Sequence, residues 1–270
     1  EPEPNILEFI AENNPFLADW QRDIIQIVDR EATYFIPQIE TKIMNEGWAS
    51  YWHHKILNEL QLSGGLHMEF MVRHNQVLRP TPGGLNPYHL GFMIWNDIER
   101  RWNAGDTGRE FSDDKPKTDI SAMDENDTPG RKKIFEVRES DRDISFLRRF
   151  LTVDLMRELD LFQHEKRGKE RVITKVSDDE SWNDVKNSLL QGVGMGSIPS
   201  IKIEDGDHGA RRTLYLKHDH DGRDLQLEYA ERTLEHVRKL WGREVVLETV
   251  VNGRRSLLRM QGEALKIERI

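Results

Sequence analysis

The stretch Lys42-Ile-Met-Asn-Glu-Gly-Trp-Ala-Ser-Tyr-Trp-His-His-Lys-Ile-Leu-Asn-Glu-Leu60 decides the fold of the first half of the chain. Apolar side chains recur in it at helical spacing, no proline interrupts it, and Ser63-Gly64-Gly65 follows as a stop signal. The pattern predicts a long helix with an aromatic face, in which Gly47 is the one weak helix former.

Helical spacing continues on both sides of this stretch. Asn14-Pro15 is expected to split an N-terminal helical region, and Pro37 to close the short segment that follows it. Residues 103–133 hold almost no large apolar groups and are predicted to form a long exposed loop. Further helices are predicted over residues 5–31, 66–75, 88–102 and 144–161.

The pattern changes near residue 161. Asn252-Gly253 lies between two apolar runs, which is the strongest short signal of a β-hairpin. We therefore predict an α+β fold with a helical domain over residues 1–160 and a smaller α+β domain with an antiparallel sheet over residues 161–270. Strands are expected at 161–164, 171–176, 200–204, 213–217, 245–251 and 256–260, with helices at 181–191 and 225–241.

Composition narrows the possible functions. The chain has no cysteine, which excludes disulfides, thiolate nucleophiles and cysteine-bound metals. The net charge of −9 argues against nucleic acid as a partner. No apolar run is long enough to predict insertion into a membrane.

Several motifs together resemble the SpoVR (stage V sporulation protein R) family. They include Lys42–His53, Asn86-Pro-Tyr-His-Leu-Gly91, Asp97-Ile-Glu-Arg-Arg-Trp102, Leu214-Tyr-Leu-Lys-His218 and Leu240-Trp-Gly-Arg243. The likeness extends over nearly the whole chain. The resemblance also implies a preceding helical segment with an Ala-His-x-x-x-His pair, so we expect this chain to be a fragment.

The family resemblance implies a bacterial, cytoplasmic protein of unassigned biochemical activity. It implies a link to formation of the spore cortex or to stress regulation, and a genetic setting near a serine protein kinase of the PrkA type. We therefore expect a regulatory or scaffold protein that acts through protein partners, with that kinase system among them.

Glu46 and His53 are the first candidates for a metal site. They lie two helical turns apart and so share a helix face, and carboxylate and imidazole both suit zinc. His74 joins them if the two neighbouring helices pack antiparallel across Ser63–Gly65. The alternative is that Glu46 caps a helix or forms a salt bridge, and that His53 and His54 are ordinary polar residues beside tryptophan.

A second function follows from this candidate site. Glu46-Gly-Trp-Ala-x-Tyr51 resembles the helix that supplies a glutamate ligand in some zinc peptidases. The alternative function is therefore a metal-dependent, hydrolase-like protein with a zincin-like site that acts on peptide or peptidoglycan substrates. The sequence assigns no catalytic residue and leaves open whether the protein is an enzyme.

Overall fold

The computed structural model describes residues 5–80, 85–106, 127–161, 163–167, 170–175, 179–262 and 264–270. These residues form ten α-helices and seven β-strands, so the fold is α+β as predicted. They group into two compact units, Pro37–Ser197 and the combination of Glu1–Ile36 with Ile198–Ile270. This grouping differs from the predicted division at 160/161 in two ways: the first 36 residues group with the C-terminal sheet, and residues 161–197 group with the helices.

The unit Pro37–Ser197 is a helical assembly around one apolar core. The largest fully buried side chains at its centre include Trp95, Tyr51, Phe146 and Met44. A two-stranded antiparallel sheet also belongs to it. Its elements are α3 (Lys42–Glu59), α4 (Gly64–Leu78), α5 (Pro87–Asn103), α6 (Pro129–Ser140), α7 (Asp143–Phe150), α8 (Val153–Glu158), β1 (Gln163–Arg167), β2 (Glu170–Lys175), α9 (Asp179–Gln191) and a short 3-10 helix (Gly194–Ser197).

Polar caps decide where two of these helices begin. The Asn86 side chain accepts hydrogen bonds from the backbone N–H groups of Tyr88 and His89, and Pro87 occupies the first turn of α5. Thr128 caps α6 in the same way, ahead of Pro129. The C-terminal bound of the predicted loop 103–133 is therefore wrong, because α6 starts at Pro129. Residues 107–126 of the predicted loop lie outside the described part of the chain.

Two glycines set the distance between α3 and α5. A Cβ atom on Gly47 would lie 2.3 Å from the Cα and carbonyl carbon of Gly91, and a Cβ on Gly91 would lie 2.3 Å from the carbonyl oxygen of Ile43. No real Cβ contact is that short, so the two backbones approach closely only because both residues lack a side chain. Gly47 is thus a packing requirement as well as a weak helix former.

The second unit is a five-stranded sheet with helices packed against it. The strand order is β3-β4-β5-β6-β7, and all neighbours are antiparallel except β4 and β5, which are parallel. The elements are α1 (Ile6–Asn13), α2 (Asp19–Glu40), of which the residues from Pro37 onward fall in the helical unit, β3 (Ile201–His208), β4 (Thr213–His218), α10 (Leu227–Trp241), β5 (Val245–Val251), β6 (Arg254–Gln261) and β7 (Ala264–Arg269).

The predicted antiparallel sheet therefore needs one correction. Helix α10 connects β4 to β5 and gives the chain the length that a parallel crossover requires, so the sheet is mixed. The predicted hairpin is confirmed: β5 and β6 pair around Asn252 and Gly253, whose φ angles of 51° and 73° are those of a primed turn.

Two predicted helix boundaries are wrong. Helix α2 runs through Pro37 and ends one turn later at Glu40, because a proline this near the C-terminus removes only one hydrogen bond from the last turn. The predicted helix 144–161 is interrupted after Phe150, because the Thr152 side chain accepts from the Leu155 N–H and starts α8.

Candidate functional site

The start of α3 is held by a buried carboxylate from another helix. The Asp143 oxygens accept hydrogen bonds from the backbone N–H groups of Ile43, at 2.8 Å, and Met44, at 2.9 Å. Asp143 is 1% exposed, and this burial raises the pKa of its carboxyl to about 6, although the backbone hydrogen bonds oppose the shift. The contact ties the first turn of α3 to the first turn of α7.

Three histidines meet where the C-terminal half of α3 faces α4. The ring centroids of His54 and His74 are 5.0 Å apart, and those of His53 and His74 are 6.2 Å apart. Phe70 and Phe92 pack against the rings, with the Phe92 centroid 5.2 Å from that of His74. We call His53, His54 and His74 the histidine cluster.

Burial favours the neutral form of two members of the histidine cluster. It lowers the pKa of both His54 and His74, and the neighbouring imidazole of His53 lowers each further. His74 is 4% exposed, and its Nε2 atom has no hydrogen-bond partner among the described residues. A buried nitrogen without a partner is costly, and a neutral imidazole nitrogen can coordinate a metal ion.

Glu46 lies in a different environment. It lines an open groove of about 780 Å³ together with Lys42, Gln76, Arg79 and Tyr88. A hydrogen bond to the Glu46 carboxylate raises the pKa of the Tyr88 hydroxyl. The groove therefore offers one carboxylate, one phenol and two cationic side chains, which suits a polar ligand better than an apolar one.

The structure joins the predicted metal ligands only in part. It brings His53 beside His74, as antiparallel packing of α3 and α4 requires, and it places Glu46 in the groove with Tyr88. Within the ranges that the structure describes, no three His, Asp or Glu side chains converge closely enough to hold a metal ion. The metal-binding roles of Glu46, His53 and His74 stay a prediction.

Sequence reasoning passed over His54, which lies closer to His74 than His53 does. A signal for this pair was available. His54 and His74 are each ten residues from Gly64, the centre of the turn across which the two helices were expected to fold back. In an antiparallel helix pair, positions at equal distances from the turn lie at the same level.

A second group of polar side chains surrounds Tyr51 of α3. The Tyr51 ring is fully buried, and burial, followed by the nearby Glu99 carboxylate, raises the pKa of its hydroxyl. That hydroxyl makes no well-formed hydrogen bond to the described residues. Lys55 forms an ion pair with Glu99 at 2.7 Å, and the Arg131 guanidinium stacks 4.0 Å from the Trp52 ring centroid. These contacts hold α3 to α5 and α6.

The two compact units, one helical and one built on a mixed five-stranded sheet, correspond to a protein with two domains. The "SpoVR like protein" family model matches residues 1–198, and the "SpoVR-like C-terminal domain" model matches residues 199–252. The chain belongs to the SpoVR family. The two models meet one residue from the boundary at 197/198 between the compact units.

One curated relative is similar over most of the chain. It is the "Uncharacterized protein YcgB" of Escherichia coli (strain K12), 32% identical over 262 residues, which cover 92% of this chain and 49% of that protein. The chain thus spans about half the length of this relative. No solved structure matches the chain. Among the described residues, no helix combines the length and apolar character needed to cross a membrane.

Proposed function

We propose that the chain is a regulatory or scaffold protein that binds protein partners, with a serine kinase of the PrkA type as the first candidate. The observation that carries this proposal is the apolar surface of the α3–α4 hairpin. Ile56 on α3 and its C-cap residue Leu60 lie one turn apart, and Met68 and Val72 lie one turn apart on α4. All four are between 51% and 66% exposed. Large apolar side chains that are exposed within one short segment of the chain are typical of interaction sites.

The way α4 is attached supports the same proposal. Of its 15 residues, only Phe70 and His74 are buried. A helix with so little buried area gains stability when a partner covers its exposed side. Family resemblance supports the setting, which we propose to be the bacterial cytoplasm, in spore cortex formation or stress regulation.

The test is binding of the purified chain to a purified kinase of the PrkA type, measured by biolayer interferometry. We expect the double variant Met68→Gln, Val72→Gln to bind at least about tenfold more weakly, since apolar anchors commonly contribute more than 1 kcal/mol each. Arg73→Gln, on the same helix and with a 70% exposed side chain, is the matched control and should bind like the wild type. An affinity unchanged in the double variant, or a pull-down that recovers no specific partner, would contradict the proposal.

One observation favours the second candidate, a metal-dependent hydrolase-like protein. The Nε2 atom of buried His74, beside His54, has no hydrogen-bond partner in the part of the chain that the structure describes, and such a nitrogen can serve as a metal ligand. Elemental analysis of the purified chain tests it: stoichiometric zinc that is lost in His54→Gln and His74→Gln but kept in His67→Gln would support it. It would then justify hydrolysis assays on peptidoglycan peptides. Absence of bound metal after dialysis against zinc would overturn it.

A further inference from the structure

Helix α2 exposes an apolar stripe that its own unit leaves uncovered. Six large apolar side chains on it are between 47% and 67% exposed. Their spacing of three, four and seven residues places them on one side of the helix, within about a third of its circumference. We call these residues the α2 stripe. They are Trp20, Ile24, Ile27, Val28, Tyr34 and Phe35.

The opposite side of α2 is the one that the fold uses. Ile25 is its only buried residue. The Arg22 guanidinium donates hydrogen bonds to the carbonyl oxygens of Ala11 and Asn14, and Asp29 accepts one from the Asn5 side chain at 2.7 Å. The helix is therefore tied down by one side, and the α2 stripe faces away from these contacts.

We propose that the α2 stripe binds the α2 stripe of a second copy of this chain, with the two helices antiparallel about a twofold axis near Ile27. Twofold homodimers are the commonest oligomers, and each copy then presents the same patch to the other. The axis at Ile27 brings Trp20 of each copy close to Tyr34 of the other, which pairs large aromatic side chains at both ends.

The area of the stripe fits a dimer of moderate affinity. Aromatic side chains bury about 150–250 Å² each, so the exposed fractions leave roughly 650 Å² of apolar side chain per copy. Two copies would bury about 1,300 Å², near the lower end of the range of about 1,200–2,000 Å² for specific interfaces. Tyr34 and Phe35 already hold each other edge to face, with ring centroids 5.4 Å apart, which reduces the ordering needed on binding.

Charge favours the antiparallel arrangement. Asp23 and Arg30 are both exposed and lie seven residues apart along one edge of the stripe. An antiparallel pair centred near Ile27 sets Asp23 of each copy within one residue of the level of Arg30 of the other, twice by symmetry, whereas a parallel in-register pair keeps them two turns apart. Opposite charges flanking an apolar seam set the orientation of a helix pair.

Glu31 interrupts the α2 stripe and limits the affinity of the proposed dimer. A polar residue within an apolar helix seam defines register at a cost in stability. We therefore expect a dissociation constant in the micromolar range, and we expect Glu31→Leu to lower it at least about tenfold.

Sedimentation equilibrium of the purified chain tests the proposal between about 1 and 200 µM. We expect the mass to rise with concentration from 31.7 kDa towards twice that value. Ile27→Asp should remain monomeric throughout. Gln26→Asp, which adds the same charge beside the stripe, is the matched control and should dimerise like the wild type.

A charge exchange adds an independent arm. Asp23→Arg alone should weaken the dimer, and Asp23→Arg combined with Arg30→Asp should restore it, because the pair is rebuilt with reversed signs. A wild type that stays monomeric at every concentration, or a dimer that Ile27→Asp leaves intact, would overturn the proposal. The outcome is separate from that of kinase binding, which depends on α3 and α4.

Discussion

Replacing Gly47 by alanine should separate α3 from α5. The new Cβ atom would lie 2.3 Å from two backbone carbons of Gly91 and 2.8 Å from the backbone nitrogen of Phe92. Carbon atoms pack best at about 3.5–4.0 Å, so the helices must move apart by more than about 1 Å. Because the obstructing atoms are backbone, no side-chain rotation can relieve the clash.

Two opposing effects determine the magnitude. Alanine is favoured over glycine inside a helix by about 1 kcal/mol. Overpacking of a close-packed interior typically costs about 1–3 kcal/mol, and a backbone clash falls at the upper end or beyond. The separation would also loosen Met44, Ile94 and Trp95, which are fully buried around the crossing. We expect a net loss of about 2 kcal/mol or more.

Thermal unfolding followed by circular dichroism measures the effect. A loss of about 2 kcal/mol corresponds to a Tm lowered by roughly 4–8 °C in a unit of this size. Gly65→Ala is the matched control: it lies in the first turn of α4, and nothing stands within 4 Å of its added Cβ atom. Its Tm should be unchanged or slightly raised. A Gly47→Ala protein as stable as the wild type would refute the close-contact argument.

Three further predictions concern the same helical unit. Burial raises the pKa of Asp143 to about 6 in the fold, against about 4 in the unfolded chain. The free energy of unfolding of the wild type should therefore fall by up to about 3 kcal/mol as pH rises from 4 to 6. Urea titrations of Asp143→Asn should show no such dependence on pH. Because burial lowers the pKa of His54 and His74, their contribution to the free energy of unfolding should be present above about pH 6.5 and lost as pH falls below it. A variant with glutamine at both positions that loses as much stability in acid as the wild type would contradict this. Gly130→Ala should be destabilised like Gly47→Ala, since its Cβ would lie 2.3 Å from the Glu99 carbonyl oxygen, and an unchanged Tm would count against that contact.

Local signals in the chain determined most helices and one hairpin. The apolar spacing of residues 42–60 agrees with α3, which ends at Glu59, before the predicted stop signal Ser63-Gly64-Gly65; the two glycines of that signal already belong to α4. Asn252-Gly253 forms the predicted turn because its residues adopt positive φ at low cost. The fold class and the family also follow from the sequence, since periodicity and ordered motifs are properties of the chain itself.

Some predictions failed because local signals do not include the packing partner. In the sequence Gly47 is only a weak helix former. In the fold it allows the backbone of α3 to contact the backbone of α5 at Gly91. Pro37 was expected to close a segment, and α2 continues past it to Glu40. The parallel pairing of β4 with β5 was missed because strand patterns record which face is buried and not which neighbour is bound.

The candidate site divides in the same way. Residue types and helix spacing were enough to single out Glu46, His53 and His74 as side chains suited to a metal. Only the tertiary structure decided that Glu46 lies in a groove with Tyr88, and that the rings of His54 and His74 lie 5.0 Å apart and both contact Phe92. The physical reason is that spacing along one helix specifies a face, whereas the distance between side chains on different helices depends on how those helices pack.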